Sequence, residues 1–390
     1  MNLNNLTVGI PKEIMPGERR IAATPETVAK MVQKGMKVVL EHAAGEGSYL
    51  LDEDYLSVGA RIEYDVQKLY SESHVILKVK EPQFNTIISK HEVDMMRSEQ
   101  YLIAFLHPAS LHNHDMVKRL ASKGVISFTL DSVPRISRAQ QMDGLTSMST
   151  VAGYKGMLLA AELLPKFIPM VATAAGVIQP ARALFIGTGV VGLQALATAK
   201  RLGAVVSASD IRSEALEQAK SLGAKIVELN IPQEIAVGEG GYARKLPEKW
   251  LLREREALRQ AVSEADIVIL SALVPGKIAP LIITEDMIKS MQPGSVVVDI
   301  AIDQGGNCEI TTPGETSVKH GVTIIGIKNI PGTVPKSATG MLAWNIYHFL
   351  TNLVKDNSIV IDMNDEVVAS CLLTRNGDIV HAGTREAMNL

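Results

Sequence analysis

The sequence is poor in cysteine: Cys308 and Cys371 are the only two among 390 residues. Two distant cysteines give neither a disulfide framework nor a zinc-ligand spacing, so we expect a reducing compartment and no metal site. The sequence also has no large excess of either charge sign, because the formal net charge is only -3. This balance leaves no basic surface for a nucleic-acid partner.

Long uninterrupted apolar runs are absent as well. The most apolar region, residues 157–179, is broken by Glu162, Pro165, Lys166 and Pro169. It falls short of the ~18 continuous apolar residues that a membrane span needs. The first residues lack a basic segment followed by an apolar run, which argues against an export signal. We expect that the chain does not cross a membrane by itself.

Short apolar runs that alternate with amphipathic stretches are what the sequence does have. Two such alternations, one before residue 131 and one after residue 181, predict an α/β fold. We expect two Rossmann-like domains with parallel sheets and a cofactor cleft between them. The predicted N-terminal domain comprises 1–144 and is completed by 343–390, and the predicted nucleotide-binding domain comprises 145–342.

Three segments between and after these alternations have their own local predictions. The polar stretch 131–150 has no clear period and is typical of a long functional loop. A helix is expected to follow over about 151–167. The tail 366–383 is predicted to form a hairpin that turns at Asn376-Gly377.

A glycine-rich turn at Gly187, Gly189 and Gly192 fits the G-x-G-x-x-G pattern of dinucleotide-binding proteins. The pattern alone is weak, but here it follows an apolar strand and opens a helix at Val190. Gly187 permits the tight turn, Gly189 lets the backbone approach a pyrophosphate, and Gly192 allows close packing of helix on strand. The free amides of the first helical turn would then face the phosphates.

Asp210 ends the next predicted strand, near the ~20-residue spacing expected of the acid that binds an adenosine ribose. A carboxylate there accepts hydrogen bonds from the 2'-hydroxyl and repels a 2'-phosphate, so the pattern favours NAD(H). Arg212 complicates this prediction, because a nearby arginine can accommodate that phosphate. The alternative is an ordinary strand-helix turn with an exposed aspartate.

Several motifs resemble the soluble NAD(H)-binding component of proton-translocating NAD(P) transhydrogenases, a family that is related to the alanine dehydrogenases. The resemblance runs from GIPKE (9–13) to the C-terminal hairpin. PRISRAQ (134–140), continued by Asp143, resembles the loop beside the nicotinamide. GGYA (240–243) resembles the family's mobile loop, and LLTRNGDIVH (372–381) resembles its terminal hairpin.

The resemblance implies roles for the residues of the polar loop. Arg135 is expected to reach an anionic or amide group, and Gln140 to bind a ribose hydroxyl. Asp143 and Thr146 are expected to fix Gln140 and the carboxamide, with Thr146 where the family usually has serine. A solvated loop with an Arg135–Asp143 pair is the alternative. Further residues expected at the cofactor are Val190, Ile211, Arg212, Gly241 and Tyr242.

Other motifs resemble the alanine dehydrogenases instead. In KVKEP, FLHPA, VDIAIDQGG and RRIAATP, the matching residues Lys80, His107, Asp303 and Arg20 surround that family's substrate. Arg20 or Lys80 would hold the carboxylate, His107 would act as acid and base, and Asp303 would position water or the imidazole. The set is either a live amino-acid site or a relic without turnover. In the ordinary alternative, Lys80 is exposed and Asp303 caps the following glycine turn.

The transhydrogenase resemblance implies hydride transfer from NADH to NADP+, which a partner subunit would hold. It also implies a homodimer, an NADP(H)-binding subunit and a membrane proton-channel subunit. The expected location is cytoplasmic and peripheral to the inner membrane through these partners. The first alternative is an NAD-dependent alanine dehydrogenase. A nucleotide-sensing module is a third possibility, against which the complete nicotinamide loop argues.

Overall fold

The protein is represented by a computed structural model that describes residues 3–238, 241, 243–274 and 278–390. The chain divides into two compact units. Unit 1 comprises Met1–Met148 and Gly332–Leu390, and unit 2 comprises Ser149–Pro331.

Secondary structure alternates between strand and helix through most of both units. The strands are β1 Thr7–Ile10, β2 Lys37–Glu41, β3 Arg61–Glu63, β4 Val75–Leu77, β5 Phe84–Asn85, β6 Lys90–His91, β7 Tyr101–Ala104, β8 Ile126–Thr129, β9 Val171–Thr173, β10 Gly176–Ile178, β11 Arg182–Ile186, β12 Val205–Ser209, β13 Lys225–Ile226, β14 Ile267–Leu270, β15 Val296–Asp299, β16 Thr316–Lys319, β17 Val322–Ile325, β18 Val354–Lys355, β19 Ser358–Ile359, β20 Leu372–Arg375 and β21 Asp378–Ile379. The α-helices are α1 Pro25–Gln33, α2 Asp52–Ser57, α3 Val66–Glu72, α4 Glu92–Met95, α5 His114–Ser122, α6 Gly144–Leu163, α7 Val190–Arg201, α8 Ser213–Ser221, α9 Gln233–Ala236, α10 Glu248–Ser263, α11 Glu285–Lys289, α12 Pro335–Asn352, α13 Glu366–Cys371 and α14 Ala382–Met388.

The sheet of unit 1 has the order β21-β20-β8-β7-β4-β1-β2-β3. Its strands from β8 to β3 pair in parallel, whereas β20 pairs antiparallel with both β8 and β21. The tail therefore completes this sheet, and Leu372 and Leu373 are buried in its core. The predicted turn at Asn376-Gly377 is confirmed, but residues 366–371 form α13 rather than a strand.

The sheet of unit 2 has the order β13-β12-β11-β14-β15-β17-β16. The six strands from β13 to β17 are parallel and follow the 3-2-1-4-5-6 order of a dinucleotide-binding sheet. The predicted α/β fold class is confirmed. The sheets are mostly parallel, as expected, and each carries antiparallel pairing at one edge, here β16 on β17.

Side chains of the unit 2 strands alternate between two helical layers. Phe185 and Ile269 pack on one face with α7 and with Met157 and Ala160 of α6. Leu184, Ile186 and Leu270 pack on the other face with α10 and α11. This double burial explains why the strands are almost continuously apolar. It also leaves the carboxyl ends of the strands as the open edge at which a ligand can bind.

The polar segment before α6 is shorter as a loop than predicted. Residues 137–142 form a 3-10 helix, and α6 begins at Gly144 rather than near residue 151. The cause is Asp143, whose carboxylate accepts hydrogen bonds from Thr146 N at 2.8 Å and Thr146 Oγ1 at 2.6 Å. This cap satisfies the first turn of the helix. The helix ends at Leu163 instead of 167 because Pro165 disfavours helical backbone at Leu164.

A buried ion cluster joins the strand ends of unit 1. The fully buried Lys78 Nζ lies 2.9 Å from Glu92 Oε1 and 3.3 Å from Glu13 Oε2. Tyr70 donates to the same Glu92 oxygen at 2.8 Å, and Glu13 Oε1 accepts the Val79 amide at 2.6 Å. Burial raises the pKa of Glu13 to about 7, although the charge of Lys78 opposes that shift. The cluster fixes the backbone that leaves β4.

Replacing Lys78 with methionine is expected to destabilise the protein by about 3–5 kcal/mol, because it leaves carboxylates buried without their cation. The free energy of unfolding, measured by urea denaturation at neutral pH, checks this. Lys30→Met changes an exposed lysine of α1 and is the matched control, with an expected effect within about 0.5 kcal/mol. Equal effects of the two substitutions would contradict the assignment of Lys78 as a buried structural cation.

Candidate functional site

The turn between β11 and α7 needs each of its three glycines for a different reason. Gly187 has φ +87°, and a Cβ there would lie 2.7 Å from Ala272 N. A Cβ on Gly192 would lie 1.9 Å from the Gly187 carbonyl oxygen, so only glycine allows α7 to approach β11 this closely. Among the described residues, a Cβ on Gly189 would meet only Arg212 Nη2, at 3.9 Å. The described part of the chain therefore leaves open space above Gly189.

Hydrogen bonds hold this turn in place. Gly187 N donates to Ser209 O at 2.9 Å, and Ser271 Oγ donates to Gly187 O at 2.9 Å. Gly189 is the N-cap of α7 and has no side chain that could cap the following amides, which begin at Val190. Uncapped amides at the positive end of a helix form a ready site for an anion such as a phosphate.

Asp210 lies at the end of β12 and is buried and anchored. Its carboxylate accepts Thr188 N at 2.7 Å and the Arg212 amide at 2.9 Å. The guanidinium of Arg212 also binds it, through Nε at 3.0 Å and Nη2 at 2.9 Å. This bond raises the pKa of Arg212. From the sequence, Asp210 favoured NAD(H), whereas Arg212 could accommodate a 2'-phosphate. In the structure the two side chains form an ion pair with each other. Ile211, between them, packs against the α10 face of the sheet.

The GGYA loop is only partly within the described residues. Gly241 is exposed, has φ +75° and donates its amide to Gly238 O at 3.3 Å. An antiparallel bridge between Val237 and Ala243 closes the base of the loop. Tyr242 lies outside the described residues.

The loop expected at the nicotinamide lies in unit 1, between β8 and α6. Arg135 and Gln140 are exposed. Ala139 and Met142 are buried and anchor the 3-10 helix 137–142, in which they lie. Asn345 of α12 adds a hydrogen bond from Nδ2 to the Gln141 carbonyl at 2.8 Å. Asp143 and Thr146 bind each other at the start of α6. Asp143 therefore caps α6. The sequence predicted a contact with Gln140 for this residue, but not this cap.

Arg20, Lys80 and His107 also lie in unit 1. The Arg20 guanidinium is buried and engaged by the Glu18 carboxylate, through Nε at 2.8 Å and Nη2 at 2.6 Å. Lys80 is partly exposed at the end of the strand region after β4. Its charge opposes protonation of His107, so the two side chains share one electrostatic environment.

His107 forms an ion pair that the sequence did not predict. Its Nδ1 lies 2.6 Å from Asp131 Oδ1, and Asp131 Oδ2 accepts the His107 amide at 2.9 Å. Burial lowers the pKa of His107, but the charge and the hydrogen bond of Asp131 together outweigh burial and leave the pKa raised. The same pairing holds the pKa of Asp131 well below its usual range, against the effect of burial. Asp131 follows β8 as His107 follows β7, so its strand-end position was the available signal.

Asp303 lies in unit 2, apart in sequence from the other three residues of this set. It is exposed, and its Oδ2 accepts the Asn329 amide at 3.1 Å. The ordinary alternative, a cap on the Gly305-Gly306 turn, is wrong for Asp303. Asp299 binds that segment instead, through the amides of Asn307 at 2.9 Å and Cys308 at 3.0 Å.

Two kinds of feature are absent from the described residues. They contain no helix long and apolar enough to span a bilayer. Within the same residues, no group of three or more His, Cys, Asp or Glu side chains is arranged to hold a metal ion.

Comparisons with known proteins show which families and structures this chain resembles. Residues 9–152 match the model of the alanine dehydrogenase/PNT N-terminal domain, and residues 156–382 match its C-terminal domain. The chain is 40% identical to the polypeptide that forms the first part of the NAD(P) transhydrogenase alpha subunit in Rhodospirillum rubrum, over 96% of this chain and 98% of that one. It is 32% identical to the alanine dehydrogenase of Halomonas elongata, over 99% and 97%. The crystal structure of a transhydrogenase from Sinorhizobium meliloti superposes with a TM-score of 0.82 at 36% identity, over 96% and 99%.

Proposed function

The chain belongs to the alanine dehydrogenase/PNT family, and from that premise we propose that it is the NAD(H)-binding subunit of a proton-translocating NAD(P) transhydrogenase. It would pass a hydride from NADH to oxidised NADP(H) on a partner subunit. The observation that carries the proposal is the turn at Gly187–Gly192, which combines uncapped amides, open space above Gly189 and an anchored acid at Asp210. The transhydrogenase relatives favour this reaction over amino-acid oxidation.

The residues around the turn fit a dinucleotide. The amides from Val190 onward would neutralise the pyrophosphate, and Gly189 leaves room for the backbone to approach it. Asp210, with Ile211 and Arg212 beside it, would face the adenosine ribose. When bound, the nicotinamide supplies the hydride chemistry, and the protein supplies position and orientation.

Hydride transfer between two nicotinamides needs no proton from the protein. The side chains must instead hold the reacting carbon and exclude water. Arg135 and Gln140 are exposed and thus accessible to a cofactor, whereas Asp143 and Thr146 fix the helix on which their segment ends. We assign Arg135 and Gln140 to the nicotinamide half, with Asp143 and Thr146 as positioning residues. Gly241 and Tyr242 would close over the bound cofactor.

The proposed partners are an NADP(H)-binding subunit and a membrane proton-channel subunit, which would keep the chain at the cytoplasmic side of the inner membrane. The name of the R. rubrum relative, a portion of a subunit, supports a larger assembly. A homodimer is also proposed. The hairpin β20–β21 pairs with β8 in the unit 1 sheet, so we do not assign the dimer contact to it.

An exposed apolar segment runs from the end of α6 through the β9–β10 hairpin. Five of its side chains are between 42% and 63% exposed: Leu163, Phe167, Met170, Val177 and Ile178. Such a patch on one continuous segment is typical of a protein contact. We assign it to the contact between two copies of the chain.

One observation favours alanine dehydrogenase as the second candidate. The His107–Asp131 pair, with Lys80 nearby, is the type of acid-base group that amino-acid oxidation requires. The Arg20–Glu18 pair argues the other way, because it already engages the guanidinium that would hold a substrate carboxylate.

Two alanine substitutions in the glycine turn test NADH binding separately from the stability of the protein. Gly189→Ala places a methyl group in open space and is expected to leave the unfolding midpoint nearly unchanged while NADH affinity falls at least about tenfold. Gly192→Ala forces a carbon against the Gly187 carbonyl and is expected to destabilise the protein itself. Cofactor fluorescence and thermal unfolding measure the two effects. Unchanged NADH binding by the folded Gly189→Ala variant would contradict the phosphate site.

The two reactions are separated by variants of the loop and of the histidine. With the partner subunits present, Arg135→Ala or Gln140→Asn is expected to lower transhydrogenation at least ~10-fold, about 1.4 kcal/mol of barrier, with a smaller loss of NADH binding. His107→Ala should leave that rate nearly unchanged, because no proton needs a carrier. NAD-linked oxidation of L-alanine by the chain alone, abolished in His107→Ala and Lys80→Ala, would instead establish the second candidate.

The dimer contact is tested by light scattering. The unmodified chain is expected at twice its 42.1 kDa mass, and Phe167→Glu or Val177→Glu is expected to shift it toward one chain by placing charge in the contact. Ile87→Glu alters an apolar side chain that is 91% exposed in unit 1 and serves as the control. A monomeric wild-type chain at working concentration would refute the proposal.

A further inference from the structure

Asn307, which lies after β15, is fully buried and uses both polar atoms of its side chain in hydrogen bonds. Its Oδ1 accepts the Ala272 amide at 3.0 Å, and its Nδ2 donates to the Ala272 carbonyl at 2.8 Å. Nδ2 also donates to the Pro280 carbonyl at 2.8 Å. One side chain therefore holds the backbone both where it leaves β14, at Ala272, and where it returns, at Pro280.

The backbone of Asn307 is itself held by its neighbours. Its amide donates to Asp299 Oδ2 at 2.9 Å, and its carbonyl oxygen accepts the amides of Ile282 and Ile283 at 2.8 and 2.9 Å. A Cβ on the preceding Gly306 would lie 2.7 Å from Asp299 Oδ2, so this close approach needs glycine. Asn307 thus ties the end of β14 to the end of β15.

The segment that Asn307 holds lies against the glycine turn. A Cβ on Gly187 would lie 2.7 Å from Ala272 N and 2.8 Å from the carbonyl carbon of Ser271. Ser271 Oγ also donates to Gly187 O at 2.9 Å. The Ser271–Ala272 peptide, which we call the β14 wall, is therefore fixed by Asn307 and in contact with the turn.

The order of the sheet places the β14 wall at a ligand crevice. β11 and β14 are neighbours at the point where the strand order reverses, and dinucleotides bind across such a crevice. The proposed function puts the adenosine ribose at Asp210, on the far side of β11 from β14. The nicotinamide riboside would then extend across the crevice to the β14 wall.

We propose that Asn307 is a positioning residue for NAD(H), because it fixes the wall against which the nicotinamide riboside binds. This inference rests on the proposed function. Because Asn307 is fully buried, it acts through Ala272. A peptide that is held by both its amide and its carbonyl presents a fixed surface, so ligand binding does not have to order it.

The test compares NADH with ADP, which carries the adenosine and two phosphates but no nicotinamide riboside. Titration calorimetry of the full chain gives both affinities. Asn307→Ala is expected to weaken NADH binding at least about tenfold and to change ADP binding less than about twofold, because only the nicotinamide half meets the wall. Ser271→Ala, which releases the wall from Gly187, is expected to lower the NADH-to-ADP affinity ratio about threefold.

The control is Ser295→Ala, at the opposite end of the same two strands. The buried Ser295 Oγ donates to the Ala265 carbonyl at 3.2 Å, so it ties the start of β15 to the start of β14. Losing this bond is expected to lower the unfolding midpoint and to leave the NADH-to-ADP affinity ratio unaltered.

The possible outcomes separate this inference from the proposed function. A wild-type chain that binds neither NADH nor ADP overturns both. A wild-type chain that binds NADH, with unchanged NADH affinity in folded Asn307→Ala, overturns only the role of Asn307. A parallel loss of NADH and ADP affinity also overturns that role, because a purely structural residue would act in this way. If Asn307→Ala does not fold, Ser271→Ala decides, and an unchanged affinity ratio there overturns the inference.

Discussion

The close approach of α7 to β11 is the contact on which the nucleotide site depends. Because Gly192 has no side chain, the first turn of α7 lies directly against the Gly187 carbonyl, and Gly189 provides no side-chain cap for the amides of that turn. Ser271 and the backbone of Ser209 fix that carbonyl and the amide of the same residue. The anion site is thus a consequence of main-chain packing, and its rigidity comes from the core beneath it.

Polar groups in both units also hold in place the segments that carry the candidate functional residues. In unit 1, the Lys78 cluster and the Asp131 carboxylate hold the backbone after β4 and β7, where Lys80 and His107 stand. In unit 2, the bond from Thr188 to Asp210 joins the turn after β11 to the end of β12. In each case a charged group that is fully or partly buried lies where a strand ends. These groups set the position of the neighbouring side chains more firmly than loop backbone alone would.

The features that follow a local rule could be predicted from the sequence. Apolar alternation indicated both sheets, and the spacing of Gly187, Gly189, Gly192 and Asp210 indicated the turn and its acid. Features that depend on partners distant in sequence could not be predicted. The pairing of His107 with Asp131, for example, needs the β7–β8 register. The early start of α6 depends on Asp143 as a cap, a role that its place in a polar loop does not distinguish from a cofactor contact.

The proposed function requires direct hydride transfer between two dinucleotides, which an isotope experiment can detect. The chain and its partner subunits would be supplied with NADH deuterated at the transferred position of C4 and with oxidised NADP(H), and the product NADPH analysed by mass spectrometry. The expected result is deuterium on NADPH without exchange with solvent, since no protein group takes up the hydride. Deuterium that appears in alanine when pyruvate and ammonium are supplied, with none in NADPH, would contradict the claim.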